Sequence, residues 1–137
     1  MSENYRHKKR FGQHFLSDQH ILERILHCIH PRTTDRVIEI GPGTGILTQH
    51  LIPLVAALDA IEIDRDLVDY LKIEFKAPHL QVHQADILNF DLTSLYQPDH
   101  RLRVIGNLPY NISTPILFKL FDHLPMITDM IFLLQKE

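Results

Sequence analysis

A β-branched run, Arg36-Val37-Ile38-Glu39-Ile40, ends in Gly41-Pro42-Gly43-Thr44-Gly45 and gives way at once to a helical pattern. Few folds accommodate that succession. It requires a buried strand, a tight glycine turn and a helix whose N-terminus faces a ligand. The alternation then repeats along the chain. Apolar periodicity predicts strands over 36–40, 56–63, 80–83, 102–105 and 130–134. Helices fall over 18–29, 46–54, 65–76 and 114–124, with Asp18, Asp64 and Ser113 as N-caps and Pro115 in the first turn of the last. In the first helix Ile21, Leu22, Ile25, Leu26 and Ile29 share one face, and Pro31 stops it. Strands alternating with helices imply right-handed crossovers and a mostly parallel sheet. The predicted class is α/β, Rossmann-like, with flanking helices.

The bulk properties narrow this further. At 137 residues and 45% hydrophobic, the chain supports one domain with a real core, placed at 18–137 behind a basic arm at 1–17. No apolar stretch approaches a membrane span of about 20 residues, and the N-terminus has no signal-peptide apolar region. A single cysteine, Cys28, excludes an internal disulfide and suits a reducing cytosol, so a cytoplasmic location is expected. Cys28 itself, inside an apolar helical pattern, is assigned to core packing. Phe118 and Phe121 are likewise assigned to the core. Among ten histidines, the pairs His27/His30 and His79/His83 lack a coherent third ligand, so no metal site is expected. The net charge of -3 does not announce a nucleic-acid binder, but its distribution does better. Arg6, His7, Lys8, Lys9 and Arg10, followed by Phe11, have the makings of a phosphate-contacting arm.

The glycines at 41, 43 and 45 follow G-x-G-x-G rather than the G-x-G-x-x-G of dinucleotide loops, with Ile46 where the third dinucleotide glycine would stand. That favours a nucleoside cofactor with no pyrophosphate to cradle, and Gly41 and Gly43 allow close backbone approach. Glu62 ends the second strand, where a carboxylate can accept from both ribose hydroxyls. Asp86 follows the third strand and can accept from an adenine amino group. Glu39, just before the loop, can receive backbone or ligand donors. S-adenosylmethionine fits this arrangement.

A second motif, Asn107-Leu108-Pro109-Tyr110, closes the fourth strand. An amide, a proline-stiffened backbone and an aromatic ring in that order form a clamp for a flat amino-bearing heterocycle. Amide oxygen and backbone carbonyl accept from the exocyclic amino group while the ring stacks. An adenine amino nitrogen is a poor nucleophile because its lone pair is delocalised. Holding its N–H groups favours a pyramidal nitrogen, and Pro109 keeps the carbonyl and ring aimed. Such a clamp requires an unpaired or flipped base.

Taken together, KKRFGQHFL (8–16), VIEIGPGTGILT (37–48), AIEIDRDL (60–67), QADIL (84–88), GNLPYNISTPILF (106–118) and the terminal LLQKE closely resemble the ribosomal RNA adenine dimethyltransferase family. The resemblance implies a class I S-adenosylmethionine-dependent methyltransferase acting on two adjacent adenines near the 3′ end of small-subunit ribosomal RNA, within the pre-ribosomal small subunit. It implies that Gln13, His14 and Leu16 border the cofactor pocket, with contacts from Gly41, Glu62, Asp86 and Asn107, and that Tyr110 stacks on the target adenine. Family members often have Asn where this chain has His14. The resemblance also implies two further strands and a small helical domain, so the chain reads as a piece that stops after about five strands. An unpaired apolar edge at 130–134 is then expected to promote self-association. The competing readings are a large-subunit adenine methyltransferase of the antibiotic-resistance type, a non-catalytic RNA-binding or ribosome-assembly factor, and, less well matched, a nicotinamide oxidoreductase.

Overall fold

The computed structural model describes residues 16–135. It contains α1 (Gln19–Ile29), β1 (Arg36–Ile40), α2 (Ile46–Leu51), β2 (Ala57–Glu62), α3 (Arg65–Glu74), β3 (Leu80–Gln84), β4 (Leu102–Pro109), α4 (Tyr110–Phe121) and β5 (Ile127–Gln135). The strands form one five-stranded sheet in the order β3-β2-β1-β4-β5, with every pairing parallel. Among the described residues no helix is long and apolar enough to cross a membrane.

Two apolar layers hold the sheet. On one face Leu22, Ile25 and Ile29 of α1 and Leu47 and Leu51 of α2 pack with Val37, Leu58 and Ile105 of the strands. On the other, Ile116 and Leu120 of α4 pack with Ile38, Ile61, Val104 and Leu108, joined by Ile87 and Leu92. Asp18 caps α1 and Asp64 caps α3 through side-chain oxygens that accept from backbone N–H groups, as the sequence predicts. α1 closes at His30 in the left-handed region, φ 48, just ahead of Pro31.

Elsewhere the structure departs from expectation in instructive ways. The helix predicted over 46–54 is α2 followed by a 3₁₀ turn at Ile52–Leu54, because Pro53 lacks the N–H that another α turn requires. β4 runs four residues beyond the predicted 102–105, through the whole Asn107–Pro109 segment, because β5 pairs with it as far as Pro109↔Gln135. β5 correspondingly begins at Ile127 rather than 130. α4 begins at Tyr110, not 114, with Pro109 as its N-cap. Ser113 is therefore interior, its hydroxyl donating to the Tyr110 carbonyl at 2.8 Å, and Pro115 lies in the second turn. Phe118 and Phe121 are 66% and 50% exposed, so the core assignment fails for both. Ile116 and Leu120 occupy the sheet-facing positions instead. Cys28 is exposed as well, since Ile25 and Ile29 define the buried stripe and Cys28 falls at its margin. A 3₁₀ turn at Leu92–Leu95 carried no signal that separated it from loop.

Arg103, not singled out by sequence, ties together the N-terminal ends of the strands. Its Nε donates to Asp129 Oδ1 at 2.9 Å and Nη2 to Asp129 Oδ2 at 3.0 Å, while Nη1 meets Asp35 Oδ2 at 2.8 Å. The same guanidinium donates to the carbonyls of Ile29 and His30, supplying the C-terminus of α1 with the cation that its dipole favours. The Asp129 and Asp35 partners hold its pKa above the ordinary arginine value. Replacing Arg103 by Met removes the guanidinium from two carboxylates and two carbonyls, although Asp35 Oδ2 keeps the Arg32 N–H at 2.8 Å. Urea unfolding is expected to show a loss of about 3 kcal/mol, the lower end for a broken buried pair because Asp129 is partly exposed.

Candidate active site

The strand order reverses direction between β1 and β4, each of which leads away to a neighbour on its other side. Crossovers leaving such a pair run to opposite faces and open a crevice at the C-terminal ends of the strands. A cleft of about 290 Å³ lies there. It is lined by the ends of β1 to β4 and the turns after them: Glu39 to Gly43, Ile61 to Ile63, Ala85 to Leu88 and Asn107 to Pro109, closed by Leu16, Ile112 and Ile116.

The glycine turn and the Asn107 segment meet. β1 and β4 pair with Ile40 opposite Gly106, so the residues that follow emerge side by side. A Cβ on Gly41 would stand 3.9 Å from the Asn107 carbonyl oxygen. Gly41 and Gly43 adopt φ 66 and 63, the left-handed conformation that the turn requires. The third glycine has a different task. A Cβ on Gly45 would lie 2.5 Å from Phe75 Cε2 and 2.9 Å from Leu71 Cδ2, so its bareness lets the start of α2 seat against α3. The G-x-G-x-G spacing thus combines a ligand-facing turn with a helix contact.

The acids hold the turn in shape. Glu62 is buried, and its Oε1 accepts from Gly43 N at 3.2 Å while Oε2 accepts from Asp64 N at 3.0 Å. Asp86 Oδ1 accepts from Leu88 N at 3.0 Å, which folds the post-β3 segment back toward the cleft. Glu39 is buried behind the loop, its Oε1 accepting the Thr48 hydroxyl at 2.5 Å.

Of the residues singled out by sequence, Leu16, Gly41, Gly43, Glu62, Asp86, Asn107, Leu108 and Pro109 line one cleft. Tyr110 stands outside its lining, 64% exposed at the first position of α4. Gln13, His14, Arg6, Lys8, Lys9 and Arg10 lie outside the described residues. Sequence reasoning missed Ile63 and Leu88, two exposed aliphatic side chains in the lining. Their signal was available, since each directly follows or nearly follows an acid at a strand end. No group of side chains among the described residues could hold a metal ion.

Burial pushes the Glu39 carboxyl up to about 7 from 4.5, opposed by the Thr48 donor and reinforced by the nearby Glu62 charge. The folded protein therefore holds a proton on Glu39 that the unfolded chain has released between about pH 4.5 and 7. Stability contributed at low pH is lost as pH rises through that window, about 3 kcal/mol in all. Glu39→Gln is expected to remove this slope, so that the variant gains on the parent between pH 5 and pH 8 in urea unfolding.

Comparison with known proteins agrees with this geometry. The family described as Ribosomal RNA adenine dimethylase matches residues 4–137. A Ribosomal RNA small subunit methyltransferase A from Pseudomonas aeruginosa is 52% identical over 100% of this chain and 52% of its own length. A dimethyladenosine transferase from Plasmodium falciparum superposes with a TM-score of 0.71 at 30% identity, covering 87% of this chain and 42% of that one. The 23S rRNA methyltransferase ErmE gives 0.72 at 29% identity, with 86% and 47% covered. The chain spans about half the length of the curated relatives it matches. Its parallel sheet and flanking helices are the class I methyltransferase fold, and by the extent of the match the chain belongs to the ribosomal RNA adenine dimethylase family.

Proposed function

We propose that this chain is the catalytic part of an enzyme that transfers methyl groups from S-adenosyl-L-methionine to the N6 amino groups of two adjacent adenines near the 3′ end of small-subunit ribosomal RNA. One observation carries the reading: the glycine turn and the Asn107-to-Tyr110 segment adjoin at the reversal point of the sheet, with Gly41 against the Asn107 carbonyl. The partner is then small-subunit ribosomal RNA within the pre-ribosomal small subunit, in the cytoplasm.

The residues present fit the cofactor. Gly41 and Gly43 leave the turn bare, and Ile63 and Leu88 offer apolar surface to an adenine ring. Glu62 and Asp86 line the same cleft, and Glu62 is proposed to accept from ribose hydroxyls and Asp86 from the adenine amino group. Gln13 and His14 are proposed to border the same pocket beside Leu16. When bound, S-adenosylmethionine supplies an electrophilic methyl group on a sulfonium.

The chain's own residues present the nucleophile. Asn107 Oδ1 and the Leu108 carbonyl accept the two N–H groups of the target adenine, which turns its lone pair toward the cleft. Pro109, at φ -59, fixes the direction of the chain there, and α4 starts immediately after it. The exposed Tyr110 ring stacks on the base. The clamp contains no imidazole or carboxylate, and none is needed, because the nitrogen becomes acidic once it has attacked. Arg6, Lys8, Lys9 and Arg10 are proposed to contact RNA phosphates.

Incubation with labelled S-adenosylmethionine and undermethylated small subunits tests this, with large subunits as the control that stays unlabelled. Asn107→Ala is expected to lower methyl transfer at least about 100-fold while cofactor binding weakens but persists. Tyr110→Ala is expected to lose about 10- to 100-fold in RNA methylation, in line with one lost base stack, with the cofactor Kd unchanged. Normal turnover by the Asn107 variant would refute the assignment.

Self-association is proposed for the same polypeptide. Among the described residues β5 pairs with β4 alone, and its other edge carries backbone groups open to a further strand. Light scattering across a concentration series is expected to show mass above the monomer. A constant monomer mass at the highest concentration would count against it.

A further inference from the structure

The segment after β3 contributes Ala85, Asp86, Ile87 and Leu88 to the cleft, yet among the described residues β3 is an edge strand paired with β2 alone. Residues 85–91 leave the sheet through one backbone bond, Ala85 N to the Glu62 carbonyl at 3.0 Å, and beyond it their hydrogen bonds to one another are local. Asn89 N donates to the Asp86 carbonyl at 2.9 Å, Leu88 N to Asp86 Oδ1 at 3.0 Å, and Asp91 caps the following 3₁₀ turn. Such turns set the shape of a segment but not its position relative to the rest of the molecule. Ile87, buried against Ile116 and Leu120, supplies an apolar anchor without direction.

Past Ala85, Lys119 supplies a directional one. It lies in the last turn of α4, partly buried, and its ammonium donates to the backbone carbonyls of both Ile87 and Phe90. These bonds bracket the residues that carry Leu88 and Asn89. The carboxylates of Asp86 and Asp91 both attract the cation, while desolvation is the larger influence and lowers its pKa. His123 also faces this group, its Nδ1 against the Lys119 carbonyl and its ring acting on Asp91. α4 starts at Tyr110, so one rigid helix carries the base-stacking ring at its beginning and the anchor for the post-β3 turn near its end, about 14 Å along the axis.

We propose that Lys119 is a positioning residue that docks the 85–91 segment on α4 and thereby sets the adenine side of the cofactor cleft. It lies outside the cleft lining and acts through Asp86 and Leu88. The consequence for cofactor affinity rests on the function proposed above; the docking itself does not.

Two measurements on the 137-residue chain separate these. Amide hydrogen exchange without ligand is expected to quicken about tenfold across 86–91 in Lys119→Met, with β1 and β4 amides unchanged and Lys119→Arg restoring protection. Unchanged exchange in that segment overturns the proposal, as does uniform acceleration across the sheet, which marks general destabilisation. Calorimetry with S-adenosylhomocysteine is expected to give about a tenfold higher Kd for Lys119→Met than for the parent, near 1.4 kcal/mol. Equal affinities overturn the link to the cleft. A parent chain that fails to bind S-adenosylhomocysteine refutes the cofactor assignment, and the exchange result then decides the docking alone.

Discussion

The pairing of β1 with β4 is the constraint on which the site depends. Because Ile40 lies opposite Gly106, the two segments that leave the sheet there cannot separate. Closeness of this kind requires small residues. A Cβ on Gly106 would come within 3.3 Å of the Ile40 carbonyl oxygen and 3.2 Å of Phe132 Cδ1, so a side chain there would press its neighbours outward by a few tenths of an ångström. Gly41, on the other side of the junction, turns with φ 66 before any side chain can intrude. Two glycines from distant parts of the chain thus create one crevice.

The acids around that crevice are structural before they are functional. Glu62 accepts from both Gly43 and Asp64, so a single carboxylate shapes the turn after β1 and the turn after β2. Buried polar groups of this kind are tolerated when satisfied, and a turn held by a neighbouring strand's side chain arrives preorganised. Glu39 stands differently. Thr48 satisfies one oxygen, yet burial and the Glu62 charge still drive its carboxyl toward neutrality. A carboxyl near neutrality beside a cleft responds to what enters it. A cationic ligand favours the ionised form, whereas an anionic one would add to the repulsion. The electrostatics therefore agree with a sulfonium and an ammonium rather than with a pyrophosphate.

Much of this was legible in the sequence, and the failures share a cause. Period-two and period-3.6 patterns located the five strands and four of the helices among the described residues, and Asp18 and Asp64 marked their helix starts because an N-cap is a local interaction. The start of α4 was misplaced because Ser113 offered a capping signal inside a helix already begun at Tyr110. What lengthens β4 to Pro109 is its partner β5, and no local pattern in 106–109 reports a partner twenty-odd residues away. Phe118 and Phe121 failed for a related reason. α4 carries apolar residues on most of its circumference, so spacing alone does not say which stripe faces the sheet. Arg103 was invisible because its partners, Asp35 and Asp129, converge only in three dimensions. Motif residues were easier: they occupy strand ends, and a parallel sheet collects strand ends in one place.

That collection divides the molecule's labour along the strands. At their N-terminal ends Arg103 meets two carboxylates and a helix C-terminus. At their C-terminal ends Glu39, Glu62 and Asp86 gather around the cleft, and burial, reinforced by the Glu62 charge, raises the Glu39 pKa. The Arg103 network thus lies at the end of the sheet opposite the cleft. Lys119 marks the boundary between the two regimes. Its charge lies near enough to Asp86 to be attracted, but its hydrogen bonds go to the Ile87 and Phe90 carbonyls. A cation so employed can steady the acidic rim without occupying the place where a ligand's own positive charge belongs.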